Sequence, residues 1–338
     1  MKLFVYSDNY HNSNINIINH EYTYCPTLDF VEEKGYICKN FKSNEDIITY
    51  LNNKKIIIDT LICHFKRYEE FIINNIDFFK TYNCNKFIWI DDVHYHYNRK
   101  TTYQYQLQIN NLIKDTKNIY FFGSYMYVFN KITNMNIESN KLIQYYHGIN
   151  NKLLVNYNNN PINKLLIYGC SSKRVYPARF YLKNIKNNFI DILDHKDNIY
   201  GINLMNYISN YLCTFACCSN EKTPYLVLKF FEIPSTGSLL LAYDEHIKLQ
   251  MQELGFIDGI NYISCDFSNM IEKVKWITDI KNREKVDKIR ENGYYFVRKY
   301  HTRNERFNKL DKIINFDLNK QLIKNKMYCV CGLGFRKY

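Results

Sequence analysis

The sequence predicts an α/β protein with two domains, each built on a mainly parallel sheet. The chain has 338 residues, more than a single hydrophobic core usually organises, so two domains are expected. Short β-branched or aromatic runs alternate with amphipathic segments, a pattern typical of a parallel sheet covered by helices. A polar, asparagine-rich stretch at 151–164, with Pro161 inside it, interrupts the alternation and predicts a linker.

The first half alternates from its start. Its predicted strands are short apolar runs, and its predicted helices carry an apolar stripe opposite a polar face. The strands are 2–7, 54–63, 86–94, the first part of 118–132, and 141–150; the helices are 44–53, 68–82, 102–116 and the rest of 118–132. An α/β domain at 1–150 is therefore predicted.

The alternation restarts after the linker. The predicted strands are 164–169, 189–194, 213–218, 238–242 and 261–266, and the helices lie between and after them, ending with 302–314. This predicts a second α/β domain at 165–315. Residues 316–338 are expected to form a tail that packs back on the first domain or serves in interaction. Sheets of this kind bind ligands at the carboxyl ends of their strands, where a cleft is expected.

The composition is typical of a folded cytoplasmic protein. Hydrophobic residues make up 46% of the chain, yet no run reaches the roughly 18 apolar residues that a membrane span needs. The first ten residues resemble a strand more than a signal peptide. The 11 cysteines form no Cys-x-x-Cys pair, and Cys329 and Cys331 have the wrong spacing for a zinc knuckle. We therefore expect structural thiols and a cytoplasmic location.

The net charge of +12 leaves two classes of partner open. The chain is rich in Asn, Ile, Lys and Tyr, which share A/T-rich codons, so base composition explains part of the lysine excess. Basic surfaces attract phosphorylated substrates, and basic aromatic surfaces bind nucleic acid. However, the aromatic residues lie mostly in predicted apolar strands and helices, and no nucleic-acid motif is present. A nucleic-acid-binding protein is therefore kept only as the alternative.

Four segments of the second half carry a family resemblance. They are "LLIYG…YPARF" (165–180), "YLVLKFFEIPSTGSLLLA" (225–242), "ELGFIDGINYISC" (253–265) and "ENGYYFVRKYHTRNERF" (291–307). In this order they resemble the nucleotide-binding domain of GT-B glycosyltransferases, in particular the CgeB-like group. The resemblance covers about half the chain. It implies a GT-B fold, with two Rossmann-like domains facing each other across a cleft, and a nucleotide-sugar donor.

Glu232 is the residue on which the resemblance bears most directly. In the similar enzymes, a carboxylate at this position accepts hydrogen bonds from the ribose hydroxyls of the donor. An ionised carboxylate can accept two vicinal hydroxyls at once. Gly237 is expected to allow a tight exit from the helix into the strand at 238–242. The alternative is a solvated helix acid beside an ordinary turn.

The same helix is expected to hold the diphosphate. Thr223 and Pro224 precede the apolar segment, so the helix is predicted to begin there and to offer free N–H groups. Lys229 lies three residues before Glu232 and therefore on nearly the same face. The family usually has a basic residue here, which makes Lys229 a candidate diphosphate contact. A solvated lysine is the alternative.

The loop after the first strand of the second domain supplies further candidates. Gly169 ends that strand, where the backbone is expected to approach the ligand, and Ser172, Lys173 and Arg174 follow as phosphate or leaving-group contacts. Arg179 matches a Tyr-Pro-x-Arg feature of the family. Pairing of this arginine with a carboxylate inside the domain is left open. The segment is not a GxGxxG fingerprint, so NAD binding is not predicted.

The first half offers the candidates for catalysis. Asp91, Asp92 and His94 follow a buried strand, where a general base or a sugar contact would lie. Structural capping and metal ligation are the alternatives, although a GT-B enzyme needs no metal. The place of the segment 145–150, just before the linker, resembles the hinge-side loop of GT-B chains that faces the donor, which makes His147 a candidate donor contact. A histidine without a role in binding is the alternative.

These observations predict a glycosyltransferase that moves a sugar from a nucleotide-diphosphate sugar to a hydroxyl of a glycan or glycoconjugate. UDP-sugars are favoured over GDP-sugars, with no metal or other cofactor. An inactive GT-B glycan-binding protein is a further alternative. Retention or inversion and homo-oligomerisation stay open. The A/T-rich composition and the CgeB-like segments suggest a large DNA virus, such as a giant virus, or an A/T-rich microbe.

Overall fold

The computed structural model describes most of the chain as two compact units. The described residues are 1–6, 28–42, 44–65, 68–90, 100–185, 187–193, 199–219, 221, 224–317, 328–331 and 334–337. The first unit consists of Met1–Tyr146 with Phe307–Val330 and Gly334–Tyr338, and the second of His147–Arg306 with Cys331–Leu333. The chain therefore enters the second unit after Tyr146 and leaves it after Arg306.

The regular elements alternate along both units. The strands are β1 (Lys2–Tyr6), β2 (Tyr36–Asn40), β3 (Thr60–His64), β4 (Asn85–Ile90), β5 (Ile119–Gly123), β6 (Leu142–Tyr145), β7 (Ile162–Tyr168), β8 (Ile190–Leu193), β9 (Tyr211–Cys217), β10 (Leu239–Tyr243), β11 (Ile263–Cys265), β12 (Tyr328–Cys331) and β13 (Gly334–Lys337). The α-helices are Leu28–Glu33, Ile47–Lys54, Tyr68–Asn74, Ile76–Thr81, Lys100–Asp115, Phe129–Ile132, Pro177–Lys183, Gly201–Ser209, Lys229–Ser235, Lys248–Glu253, Met270–Thr278, Arg283–Tyr300 and Arg303–Lys312. No helix of the described ranges is long and apolar enough to cross a membrane.

Each unit is organised by one sheet. The order in the first sheet is β2-β1-β3-β4-β5-β6-β12-β13, and the order in the second is β8-β7-β9-β10-β11. All pairs of the second sheet are parallel, as are the pairs of the first from β2 to β12. The predicted fold class, two α/β domains on mainly parallel sheets, is confirmed.

Burial explains why these segments form strands. Every residue of β9 is buried, and β4 is buried from its second residue onward. Central strands of a parallel sheet are covered by helices on both faces and therefore read as continuous apolar runs. Helix Pro177–Lys183 contributes Ala178 and Leu182 to the core beside β7 and β9.

The strand order of the second sheet places its ligand-binding edge. The chain runs from β7 to β8 on one side and then to β9 on the other side of β7. In open α/β sheets, ligands bind at the carboxyl ends of the strands where the order reverses in this way. Gly169 directly follows β7, and Cys218 follows β9. The neighbourhood of Gly169 is therefore where a ligand is expected from topology alone.

Candidate functional site

The candidate site is built around the carboxyl end of β7 and the helix Lys229–Ser235. Phe230, Phe231 and Ile233 of this helix are fully buried and anchor it in the second unit. Lys229 and Glu232, three residues apart, both approach Tyr168, the last residue of β7. A short helix thus brings one cation and one carboxylate to the reversal point of the sheet.

Glu232 is a buried carboxylate with a specific partner. Its side chain is 5% exposed, and its Oε2 atom accepts a hydrogen bond of 3.1 Å from the Tyr168 hydroxyl. Burial raises the pKa of Glu232, although Lys229, the Tyr168 hydrogen bond and Arg303 act in the opposite direction. A carboxylate held in this way keeps further lone pairs for hydroxyl donors.

Lys229 lies against the same tyrosine. Its Nζ atom is 3.3 Å from the centroid of the Tyr168 ring, a cation–π arrangement. Burial and the nearby Arg179 guanidinium lower the pKa of Lys229 to about 7, and Glu232 partly offsets this effect. The ammonium is therefore close to its titration point at neutral pH, and an added anion would favour its charged form.

Gly169 gives Lys229 the space that it occupies. The glycine has a φ of +88°, and a Cβ atom at this position would lie 2.9 Å from Lys229 Nζ. The conformation favours glycine, and an added Cβ would displace the Lys229 ammonium. The Gly169 carbonyl accepts a hydrogen bond of 3.3 Å from Lys183 Nζ, which brings a second ammonium to the same loop.

Arg179 adds a buried guanidinium beside this loop. It is 1% exposed, its Nη1 donates to the Cys170 carbonyl at 2.6 Å, and it lies 4.5 Å from the Tyr176 ring centroid. Its Nε and Nη2 atoms have no hydrogen-bond partner in the described part of the chain. Since a buried guanidinium is costly without an anionic partner, this neighbourhood favours an anion.

The loop between Cys170 and the next helix is more open. The Ser172 carbonyl accepts hydrogen bonds from the backbone N–H groups of Val175, at 3.2 Å, and Tyr176, at 2.7 Å. Lys173 and Arg174 are exposed within this turn. Of the predicted loop residues, Gly169 and Arg179 therefore lie beside Lys229, whereas Lys173 and Arg174 are exposed.

The predicted start of the helix is wrong. The helix begins at Lys229, and residues 224–227 form no regular structure. The N–H groups of Phe231 and Glu232 are bonded to the Leu228 carbonyl, at 2.9 and 3.0 Å, so they are not free for a phosphate. Thr223 lies outside the described residues.

Gly237 follows the helix in a left-handed conformation that favours glycine. It has a φ of +84°, and a Cβ atom there would lie 2.7 Å from Tyr157 Cδ2. Its carbonyl accepts a hydrogen bond of 2.9 Å from Arg290 Nε. The structure thus surrounds Gly237 with protein groups that fix the turn into β10.

His147 begins the second unit and is held by its backbone. It is buried, and its carbonyl accepts a hydrogen bond of 3.3 Å from Arg306 Nε. The next carbonyl, that of Gly148, accepts one of the same length from Arg303 Nε. Arg303 also lowers the pKa of Glu232. The segment from His147 is therefore tied to a residue that acts on the candidate site.

Three of the predicted catalytic residues cannot be placed. Asp91, Asp92 and His94 lie outside the described residues, directly after β4. Sequence reasoning missed Tyr168, Lys183 and Arg303. The available signal for Tyr168 was its position, a polar aromatic residue at the carboxyl end of a buried strand and directly before a glycine. Arg303 stood within one of the four quoted segments, without an assigned role.

Comparison with known proteins identifies solved structures of similar fold. No protein-family model matches the chain, and no curated protein matches it. Among solved structures, HepE from Anabaena in complex with UDP matches with a TM-score of 0.55 and 10% identity over 93% of this chain and 99% of that one. A glycosyltransferase from Rickettsia africae matches with a TM-score of 0.54 and 12% identity over 94% and 99% of the two chains.

A third match is to a longer protein. TarM matches with a TM-score of 0.52 and 13% identity over 79% of this chain, but this part is only 57% of TarM. The chain therefore spans less than three fifths of the length of TarM. At such low identities the likeness concerns the fold alone, and it supports the GT-B architecture that the resemblance implied. HepE has also been solved in complex with UDP-glucose.

Proposed function

We propose that this chain is a glycosyltransferase that binds a nucleotide-diphosphate sugar, with UDP-sugars favoured, and transfers the sugar to a hydroxyl of a glycan or glycoconjugate. The observation that carries the proposal is the cluster of Glu232, Lys229 and Arg179 around Gly169, at the reversal point of the second sheet. It combines one carboxylate for hydroxyl groups with two cations for a diphosphate.

The nucleoside is proposed to bind through its ribose. Two vicinal hydroxyls can donate to one carboxylate, and Glu232 has lone pairs besides the one that accepts from Tyr168. Because Glu232 is buried, the hydrogen bonds form in surroundings where they are stronger than in water. This assigns Glu232 to the nucleoside half of the donor.

The diphosphate is proposed to bind at Lys229 and Arg179. Lys229 Nζ and Arg179 Nη1 lie 2.9 Å and 3.8 Å from where a Cβ atom on Gly169 would be, so both cations flank the same turn. When the bond between the sugar and the diphosphate breaks, negative charge grows on the leaving oxygen, and preorganised cations stabilise it. Further contacts to the phosphates or the leaving group are proposed for Ser172, Lys173, Arg174 and Thr223. Gly237 is proposed to shape the site through the turn into β10.

The acceptor is proposed to use the residues after β4. Asp91, Asp92 or His94 would accept the proton of the attacking hydroxyl, and His147 would contact the donor sugar. The CgeB-like assignment, the viral or A/T-rich microbial origin and the cytoplasmic location likewise remain proposals.

A thermal-shift panel tests the donor site. UDP, GDP, CMP and their common sugars are added to the wild type and to Glu232→Gln, which removes the charge with little change in volume. A ligand that binds only the folded state raises Tm with its concentration. We expect one nucleoside diphosphate to raise the Tm of the wild type and to lose most of this effect in Glu232→Gln. A shift with single-stranded nucleic acid alone would favour the nucleic-acid-binding alternative.

A further inference from the structure

Tyr168 contacts both charged groups of the proposed donor site. Its hydroxyl donates to Glu232 Oε2 at 3.1 Å, and the face of its ring lies 3.3 Å from Lys229 Nζ. The next residue, Gly169, has a φ of +88° and lies directly beside the same ammonium. Tyr168 is 4% exposed, so its ring is fixed by the surrounding core.

We propose that Tyr168 is a positioning residue that joins the nucleoside and diphosphate halves of the donor site, holding Glu232 with its hydroxyl and Lys229 with its ring. The inference rests on the proposed function, because it assigns a role toward the same donor. It adds a residue that neither the motif nor the fold comparison singles out.

The Tyr168 hydroxyl favours the ionised form of Glu232 and fixes its orientation. A hydrogen bond to the charged form favours ionisation, and the Tyr168 bond acts against the burial that raises the pKa of Glu232. By occupying one lone pair of Oε2 it also fixes the rotation of the carboxylate. The remaining lone pairs of the carboxylate are then held in fixed positions, where they can accept from two ribose hydroxyls.

The Tyr168 ring favours the charged form of Lys229 and holds its ammonium in place. Among the groups that act on the pKa of Lys229, Arg179 and Lys183 are cations that disfavour its charge. The negative face of an aromatic ring attracts a cation, and more strongly when the pair is desolvated. The ring therefore offsets part of this repulsion and keeps the ammonium above Gly169.

Two substitutions of Tyr168 test its contacts with Glu232 and Lys229 separately. Tyr168→Phe removes the hydroxyl and keeps the ring, whereas Tyr168→Leu removes both. Tyr211→Phe is the matched control: Tyr211 is also buried and donates to a carboxylate, that of Asp191, at 3.3 Å, but it is the first residue of β9 and so lies at the opposite end of the sheet.

Calorimetric titrations with UDP, uridine and pyrophosphate at pH 6, 7 and 8.5 give the readout. GDP and guanosine replace UDP and uridine if the wild type prefers GDP. We expect Tyr168→Phe to bind uridine and UDP roughly tenfold more weakly than the wild type and to bind pyrophosphate equally well. The loss should be largest at pH 6, because Glu232, faced by Lys229, Arg303 and Tyr168, becomes harder to ionise. Tyr168→Leu should lose pyrophosphate affinity as well.

The outcomes distinguish this inference from the proposed function. If the wild type binds UDP and Tyr168→Phe binds it equally at all three pH values, the inference is wrong and the donor site stands. Equal losses for uridine and pyrophosphate in Tyr168→Phe, or the same losses in Tyr211→Phe, would also overturn it. If the wild type binds none of the nucleotides, the proposed function fails and the inference fails with it.

Discussion

At the scale of single residues, the Lys229 ammonium links donor binding to pH. Its pKa of about 7 follows from burial first and from Arg179 second. A bound diphosphate would favour the charged form, so binding takes up a proton wherever the free ammonium is partly neutral. Affinity is therefore full below pH 7 and falls above it.

The pH dependence of pyrophosphate affinity measures this effect. We expect the affinity of the wild type to fall roughly tenfold between pH 6.5 and 8.5, as the fraction of charged Lys229 declines. Lys229→Arg is the control, because a guanidinium keeps its charge throughout this range, and its affinity should stay nearly constant. A wild-type affinity that rises with pH would contradict the assignment of Lys229.

Two buried arginines of the second unit are predicted to respond differently to removal. Each nitrogen of the Arg290 guanidinium has a partner: Nε donates to the Gly237 carbonyl at 2.9 Å, Nη1 to Asp287 at 2.6 Å and Nη2 to the Asn158 carbonyl at 3.0 Å. Arg179 has two N–H-bearing atoms without a partner in the described ranges. A group in a binding site is often held at a cost to stability, whereas a structural group is not.

Arg179→Met is therefore expected to change the free energy of unfolding by less than about 1 kcal/mol while weakening pyrophosphate binding at least tenfold. Arg290→Met is expected to cost about 3 kcal/mol, because it leaves the Gly237 and Asn158 carbonyls without their donor, whereas Asp287 keeps its ion pair with Arg283. Urea denaturation and calorimetry on both variants check the pair. A large loss of stability in Arg179→Met with unchanged binding would assign Arg179 to the core.

At the scale of elements, the turn after β7 is the feature that positions the site. Gly169→Ala forces a side chain into a left-handed conformation and places its Cβ 2.9 Å from Lys229 Nζ. Gly259→Ala is the matched control, since Gly259 has a φ of +74° with nothing within 4 Å of the added atom. Both variants pay about 1–2 kcal/mol in backbone strain.

Only Gly169→Ala should also lose pyrophosphate affinity, by at least tenfold, because the displaced ammonium leaves its place on Tyr168. Thermal melting followed by titration separates strain from displacement. If the two variants bind pyrophosphate equally, Gly169 is a turn residue and has no part in the site.

The elements also show which features of the structure could be predicted from the sequence. Strands β4 and β9 were predictable because they are almost continuous apolar runs. Glu232 and Lys229 were candidates because of the GT-B resemblance, and the structure brings both to Tyr168. The start of the helix Lys229–Ser235 could not be predicted, because the apolar run "YLVL" at 225–228 suits a helix or an extended segment equally. The link from Tyr168 to Glu232 joins residues 64 positions apart, and no local pattern encodes such a contact.

At the scale of the whole molecule, each unit contains a mainly parallel sheet, but the second unit was easier to predict from the sequence than the first. The second unit contains nearly all of the four segments that carry the resemblance. The residues of its proposed donor site lie within the described ranges except Thr223. The first unit was predicted from alternation alone, and its strand β2 was missed because "YICKN" is short and mixed in character. Its candidate catalytic residues after β4 remain predictions.

The measurement that tests the central claim most directly is the release of nucleoside diphosphate from a panel of UDP- and GDP-sugars, followed for the wild type and Glu232→Gln. The account predicts slow release from one class of donor by the wild type, a faster rate when a glycan acceptor is added, and a loss of at least tenfold in Glu232→Gln. Binding of the nucleotide without any release, with or without acceptors, would contradict transfer and leave a glycan- or nucleotide-binding protein on the same fold.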